Sequence, residues 1–195
     1  MKRAIIFSVF LFACRGQENV TSTDTVSTSG TQTTGTTSTT STGASGGGIS
    51  SLNSRDKEFF IAASQGNMSE VALGKLAIDK ATDAGVKAFG NRMVTDHGKG
   101  IEELKKLALQ KGVALPAVVN KEQNEAADTL SKKVGKDFDH AYMTDMIKDH
   151  EKDVSEFKQA SLNLTDPDLR AWATRTLPVL QDHLKMAKTT ESKLK

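Results

Sequence analysis

Three histidines of this chain lie within apolar stripes that repeat at the spacing of an α-helix. His97, His150 and His183 each have apolar side chains three, four or seven residues away, which places them together on one helix face. The three stripes are Val86, Met93, His97, Leu104 and Ala108; Met143, Met146, His150, Val154 and Phe157; and Trp172, Thr176, Leu180, His183 and Ala187. We expect such a chain to fold as packed helices with imidazoles in their common core.

Four long amphipathic segments predict four long helices, with one short helix between the second and the third. The first long helix is predicted at 55–81 with Ser54 as its N-cap, and the second runs from the Thr82-Asp83 cap to 111. The short helix is predicted at 122–133. The third and fourth long helices are predicted at 136–162 and 167–192, and the fourth begins with Asp166 as its N-cap and Pro167 as its first residue. Gly66 and Asn67 are expected to weaken the first helix, and Pro178 to kink the last one. The fold class is therefore all-α.

The lengths of the connections predict how the helices are arranged. The first and second long helices are joined tightly, as are the third and fourth, so each pair forms an antiparallel hairpin. About 24 residues separate the hairpins, which is enough to travel the roughly 40 Å length of a bundle of such helices. This favours a ferritin-like four-helix bundle with a long crossover, in which the second and third long helices run parallel.

The two hairpins also echo each other in sequence. Glu58-Phe59 with Ala62 matches Asp137-Phe138 with Ala141 near the start of each hairpin. Thr82-Asp83 matches Thr165-Asp166 at each turn. We interpret the domain as a helical hairpin that occurs twice.

A glutamate joins the three histidines as a candidate metal ligand. Glu70 lies in the apolar seam of the first helix, and counting residues from each turn puts Glu70, His97, His150 and His183 within about two helical turns of one level. Three imidazoles and a carboxylate suit a single zinc, iron or manganese ion, and copper is less favoured. The aspartate before each histidine points about 100° away from it, so it is predicted to reach across to an adjoining helix and orient a ring nitrogen there; these are Asp96, Asp149 and Asp182.

Three functional interpretations are compatible with this pattern. In the first, the four residues bind one metal ion. In the second, that ion keeps an open position and the protein is a metal-dependent oxidoreductase or hydrolase. In the third, the residues form a buried hydrogen-bond network in a scaffold or binding module. A ferritin-type di-iron centre is disfavoured, because the residues three before the histidines are Val94, Ile147 and Leu180 and not glutamates.

The N-terminal quarter of the chain predicts a signal peptide followed by a lipid-anchored, disordered linker. Residues 1–13 have the basic start and short apolar run of a signal peptide, and Leu11-Phe12-Ala13-Cys14 resembles the lipobox of bacterial lipoproteins, which implies lipid on Cys14. Residues 14–51 are rich in Ser, Thr and Gly and predict a disordered linker before a domain at 52–195. A net charge of +2 and few aromatic residues disfavour nucleic acid as a partner; any protein partner is left open.

Several short motifs together carry a family resemblance. They are EVALGKLA at 70–77, MVTDH at 93–97, FDHAY at 138–142, DHEK at 149–152 and LPVLQDHL at 177–184. In combination they resemble the bacterial domain-of-unknown-function family 4142, over about residues 55–187. The resemblance implies a ferritin-like bundle in the cell envelope, at the outer membrane, and it implies no particular activity.

Overall fold

A computed structural model describes residues 52–195 and shows five helices and no strand in that range. The helices are α1 (Ser54–Lys80), α2 (Ala84–Lys111), α3 (Lys121–Ser131), α4 (Gly135–Asn163) and α5 (Pro167–Glu191). The predicted all-α fold is confirmed. Cys14, the predicted signal peptide and the whole of the predicted linker lie outside the described residues.

The helix ends follow from the side chains that cap them. Asp83 accepts hydrogen bonds from the first backbone amides of α2, and Asp166 does the same for α5, as the sequence predicts. The cap of α1 is different from the prediction: Asn53, and not Ser54, accepts from the amide of Asp56. The short helix α3 begins one residue earlier than expected, because Asn120 and Gln123 cap each other's backbone in a capping box.

Two expected weak points leave the helices continuous. α1 runs through Gly66 and Asn67 without a break, and α5 runs through Pro178. The packing of each helix against its neighbours outweighs the local preference of these residues.

Two buried carboxylates fix the directions of the helices. Asp56, at the start of α1, accepts hydrogen bonds from the amides of Thr165 and Asp166, at the start of α5. Asp139, near the start of α4, accepts from the amides of Thr82 and Asp83, at the start of α2. Thus α1 and α5 begin at one end of the bundle, and α2 and α4 begin at the other. The predicted parallel arrangement of the second and third long helices is present.

The crossover between the hairpins follows the outside of α1. The Gln65 side chain is 3.5 Å from the carbonyl of Val118, and the Lys80 ammonium donates to the carbonyl of Ser131 at 2.6 Å. Leu130 of α3 is buried in the core. The connection therefore travels along the bundle from one end to the other, as its length predicts.

The core has two apolar halves with a polar layer between them. One half contains Met93, Met146 and Ala187, and the other contains Leu104, Phe157 and Leu180. Along each of α2, α4 and α5 the stripe histidine lies between a member of one half and a member of the other. Within residues 52–195 no helix has the length and apolar character needed to cross a membrane.

Candidate metal centre

The three stripe histidines meet in the middle of the bundle. One ring nitrogen from each of His97, His150 and His183 lies within 4.8 Å of one from each of the others. The ring centroids are 5.3 to 5.8 Å apart. His97 is 5% exposed, and the other two are fully buried. Helices from both hairpins contribute, since α2 carries His97 while α4 and α5 carry the other two.

The hydrogen bonds of Asn67 determine the tautomer of His97. The Asn67 amide donates through Nδ2 to the carbonyl of Ala63 at 2.8 Å, so its oxygen faces the other way. That oxygen lies 3.1 Å from Nδ1 of His97, and the ring must therefore donate through Nδ1–H. Nε2 of His97 then carries a lone pair. It is buried and has no hydrogen-bond partner among the described residues.

His150 has the same tautomer for a different reason. Its Nδ1 is 2.9 Å from the carbonyl oxygen of Met146, one turn earlier in α4. A carbonyl can only accept, so Nδ1 carries the proton. The lone pair of His150 is therefore on Nε2, which is 3.4 Å from Nδ1 of His183.

His183 is held by a carboxylate in the opposite tautomer. Its Nε2 lies 2.8 Å from Oδ2 of Asp96, which also accepts a hydrogen bond from Arg92. Partial burial alone would raise the pKa of Asp96, but the hydrogen bonds from His183 and Arg92 outweigh burial and lower that pKa. The carboxylate therefore stays ionised and accepts from Nε2–H of His183. The lone pair of His183 is left on Nδ1.

Each ring thus donates its only N–H outward to a protein acceptor and turns a lone pair inward. The inward atoms are Nε2 of His97, Nε2 of His150 and Nδ1 of His183. Burial, with the other two imidazoles nearby, lowers the pKa of His97 to about 3. Burial also lowers the pKa of His150 to about 4 and lowers that of His183, so all three rings are neutral near pH 7.

Glu70 lies beside this group and not inside it. Its Oε1 is 3.8 Å from Nδ1 of His150, the nitrogen that faces away from the inward lone pairs. Burial, with the charges of Asp153 and Asp149 nearby, raises the pKa of Glu70 well above its usual value. Its Oε2 has no hydrogen-bond partner among the described residues. The structure brings together the three histidines of the predicted ligand set and places Glu70 behind one of them.

The three aspartates that precede the histidines have different environments. Asp96 accepts a hydrogen bond from the ring of His183 on a neighbouring helix, and not from the adjacent His97. Within residues 52–195 no hydrogen bond joins Asp149 or Asp182 to a histidine ring. Both side chains are exposed. The fourth histidine, His140, is away from the cluster and lies 3.0 Å from Glu191.

A cavity of about 360 Å³ leads from the surface to the cluster, between α2 and α5. His97, His183 and Leu180 line it, together with Asn67 of α1. Its charged lining residues are Arg92, Lys99 and Arg175, and Asp96 and Glu103. Glu103 accepts a hydrogen bond from the indole of Trp172 at 3.1 Å.

Sequence reasoning missed Asn67 and Gly100. A Cβ on Gly100 would lie 2.4 Å from the Asn67 oxygen that faces His97, so a side chain at position 100 would displace that amide. A signal for Asn67 was present, since it lies four residues after Ala63 and three before Glu70, on the core face of α1. Nothing in the sequence indicates that Gly100 matters, because the contact joins two helices.

The fold and the site define a class: a four-helix bundle with a long crossover and a buried cluster of three histidines between its hairpins. A sequence model of the family described as "Domain of unknown function (DUF4142)" matches residues 41–190. The chain belongs to this family, which confirms the resemblance seen in its motifs.

Two solved structures share the fold. One is a DUF305 fragment from Deinococcus radiodurans, with 10% identity, a TM-score of 0.65, and coverage of 74% of this chain and 99% of that one. The other is CopM in the Cu(II)-bound form, with 18% identity, a TM-score of 0.60, and coverage of 70% and 95%. Comparison with curated protein sequences gave no match.

Proposed function

We propose that this protein binds a single transition-metal ion through His97, His150 and His183. The observation that supports this most is the direction of the three N–H groups. Each is donated to a protein acceptor outside the cluster, so three lone pairs face one another in a buried space. A shared cation satisfies all three at once.

The metal-free alternative, a buried hydrogen-bond network, fits the same atoms less well. In such a network at least one ring donates to another, as N–H to N. Here Nε2 of His150 and Nδ1 of His183 are 3.4 Å apart, and both are acceptors. Adding a proton between them would leave Nε2 of His97 without a partner, and burial opposes that proton by lowering the pKa of both rings.

The ligand set favours metals that prefer imidazole. Zinc, copper, nickel and iron suit neutral histidine, whereas manganese suits oxygen ligands, and Glu70 does not contribute its oxygen. A tetrahedral ion with Zn–N bonds of 2.0–2.1 Å separates its ligands by about 3.4 Å. The spacing between His150 and His183 is of that size. Copper(II) is expected to bind most tightly by the general order of stability, and the structural relative CopM is described in a Cu(II)-bound form.

Elemental analysis of the protein purified without a metal-binding tag tests this proposal. We expect one metal ion per chain, and loss of that ion in His97→Ala, His150→Ala and His183→Ala. His140→Ala is the matched control, because His140 lies outside the cluster. The absence of stoichiometric metal, before and after incubation with zinc, copper, nickel and iron, would favour the hydrogen-bond network.

We also propose that the protein is a lipoprotein of the bacterial envelope, at the outer membrane. Support comes from the apolar run ending at Cys14, the single cysteine of the chain. Cys14→Ser should move the protein from the membrane to the soluble fraction, with native Cys14 as the control. A membrane-bound Cys14→Ser protein would exclude lipid anchoring through this residue.

A further inference from the structure

We infer that the cavity between α2 and α5 is a binding site for a small oxyanion, which reaches the open coordination position of the metal. This inference rests on the proposed function. The ligand class is an inorganic oxyanion or a short carboxylate, since both present the same negatively charged oxygens.

The charges that line the cavity favour an anion. Both of its carboxylates already have donors: Asp96 accepts from His183 and Arg92, and Glu103 accepts from Trp172 and lies 4.0 Å from Lys99. Arg175 has no carboxylate within 4.0 Å among the described residues. Its guanidinium is therefore free to pair with an anion in the cavity, and its planar fork of donors matches two oxygens at once.

The position of the cavity connects it with the metal site. His97 and His183 form part of its wall, and they are two of the three proposed ligands. Three protein ligands leave an open position on a tetrahedral ion. Asp96 is not available for that position, because His183 and Arg92 hold it behind the ring. A ligand from solvent fits better than a fourth side chain.

The size of the cavity limits what enters. A volume of about 360 Å³ is near the lower end for small-molecule sites, so ligands of a few non-hydrogen atoms fit beside Arg175. A divalent ion adds two positive charges to a lining in which three cations face two carboxylates. Attraction for the oxyanion is then strongest when the metal is bound.

Cobalt(II) is the probe for the test, because the visible bands of a tetrahedral cobalt ion change when its fourth ligand changes. The cobalt content of the purified protein is measured first. Sodium acetate or sodium phosphate is then titrated at constant ionic strength. We expect saturable spectral shifts, and Arg175→Gln should weaken the apparent affinity for either anion about tenfold without changing the cobalt content.

Two further variants separate the site from general charge effects. Lys106→Gln removes a positive charge from an exposed position of α2 outside the cavity lining and should titrate like the wild type. Val179 is a half-buried lining residue of the cavity, and Val179→Trp should fill that space and abolish the response while cobalt still binds. If cobalt binds stoichiometrically and neither anion shifts its bands, or if Arg175→Gln behaves like the wild type, the oxyanion site is excluded while metal binding stands. If cobalt does not bind, the metal-binding proposal fails and this inference fails with it.

Discussion

At the scale of single residues, Asn67 determines the chemistry of the cluster without facing its centre. Its amide oxygen holds the N–H of His97 and so points the lone pair inward. Gly100 leaves the space that this amide occupies. The pair shows that a site of three histidines depends on residues of other types on neighbouring helices.

Gly100→Ala is therefore expected to weaken metal binding although it touches no ligand. The new methyl group would lie 2.4 Å from the Asn67 oxygen, which must move away from His97. Loss of such a supporting hydrogen bond typically lowers metal affinity about 10- to 100-fold. Gly98→Ala is the matched control, since a Cβ there has no neighbour within 4 Å. Competition with a chelating dye measures both, and equal affinities in the two variants would contradict the role of Asn67.

The stability of the metal-free protein should fall below about pH 6.5. Burial lowers the pKa of His97 to about 3 and that of His150 to about 4 in the folded state, so the unfolded chain binds more protons between those values and 6.5. The contribution of these two histidines to the free energy of unfolding is therefore complete above pH 6.5 and is lost as the pH falls. At pH 5.5 the loss is about 1.4 kcal/mol for each histidine. Urea unfolding at pH 7.5 and 5.5 measures this loss in the free energy of unfolding, and the loss should be smaller in His97→Ala than in the wild type.

Sequence periodicity predicted the three histidines, because each follows the apolar stripe of its own helix. Glu70 was equally well placed on the stripe of α1, yet it lies on the outer side of the His150 ring. The position along a helix and the face can be counted from the sequence. The rotation of one helix against another, which decides whether a side chain reaches the centre, cannot.

At the scale of helices, the two hairpins hold each other by equivalent contacts. Asp56 of α1 binds the start of α5, and Asp139 of α4 binds the start of α2. These two aspartates are 83 positions apart, as are Thr82 and Thr165. The sequence match of Glu58 with Asp137, 79 positions apart, is therefore wrong by about one helical turn. A shift of one turn keeps the same apolar face, so periodicity could not detect it.

Asp56→Asn and Asp139→Asn should each destabilise the protein by about 2 kcal/mol or more. Each carboxylate is buried and accepts two backbone amides and a threonine hydroxyl, and an amide group accepts these bonds less strongly and adds unpaired donors. Asp128→Asn on the exposed side of α3 is the control and should change the free energy of unfolding by less than about 0.5 kcal/mol. Urea midpoints measure all three. A midpoint for either buried variant equal to that of Asp128→Asn would show that these contacts do not hold the hairpins together.

At the scale of the whole molecule, the spacing of 83 positions relates the two halves and shows where they differ. His150 corresponds to Asn67, and His183 corresponds to Gly100. The first hairpin thus uses an amide and a glycine where the second uses two imidazoles. These histidines lie at positions where the two halves carry different residues, so a search for internal similarity alone would not reveal the cluster.

Metal should join the two hairpins as a cross-link. His97 belongs to the first hairpin, and the other two ligands belong to the second. An ion present at 100 times its dissociation constant stabilises the fold by about 2.7 kcal/mol, which corresponds to roughly 5–10 °C in melting temperature for a domain of this size. A chelator should lower the melting temperature of the wild type and of His140→Ala by this amount, and should leave the melting temperature of His150→Ala unchanged. Differential scanning calorimetry measures these melting temperatures. A wild type that loses its metal without a change in melting temperature would contradict the cross-link.

The topology itself could be predicted from the sequence because the length of the crossover allows few alternatives. About 24 residues between the hairpins exceed what an up-down-up-down bundle needs. The path along α1 depends on contacts such as that between Lys80 and Ser131, which no local pattern indicates.

The hydrogen bond between Trp172 and Glu103 gives the molecule a built-in optical reporter. Trp172 is the only tryptophan of the chain, it is 1% exposed, and its partner Glu103 lines the cavity. Indole fluorescence responds to the charge and the hydrogen bonding around its N–H group. The emission of the native protein should therefore change when an anion enters the cavity or a paramagnetic ion occupies the cluster, so occupancy can be followed without any attached dye.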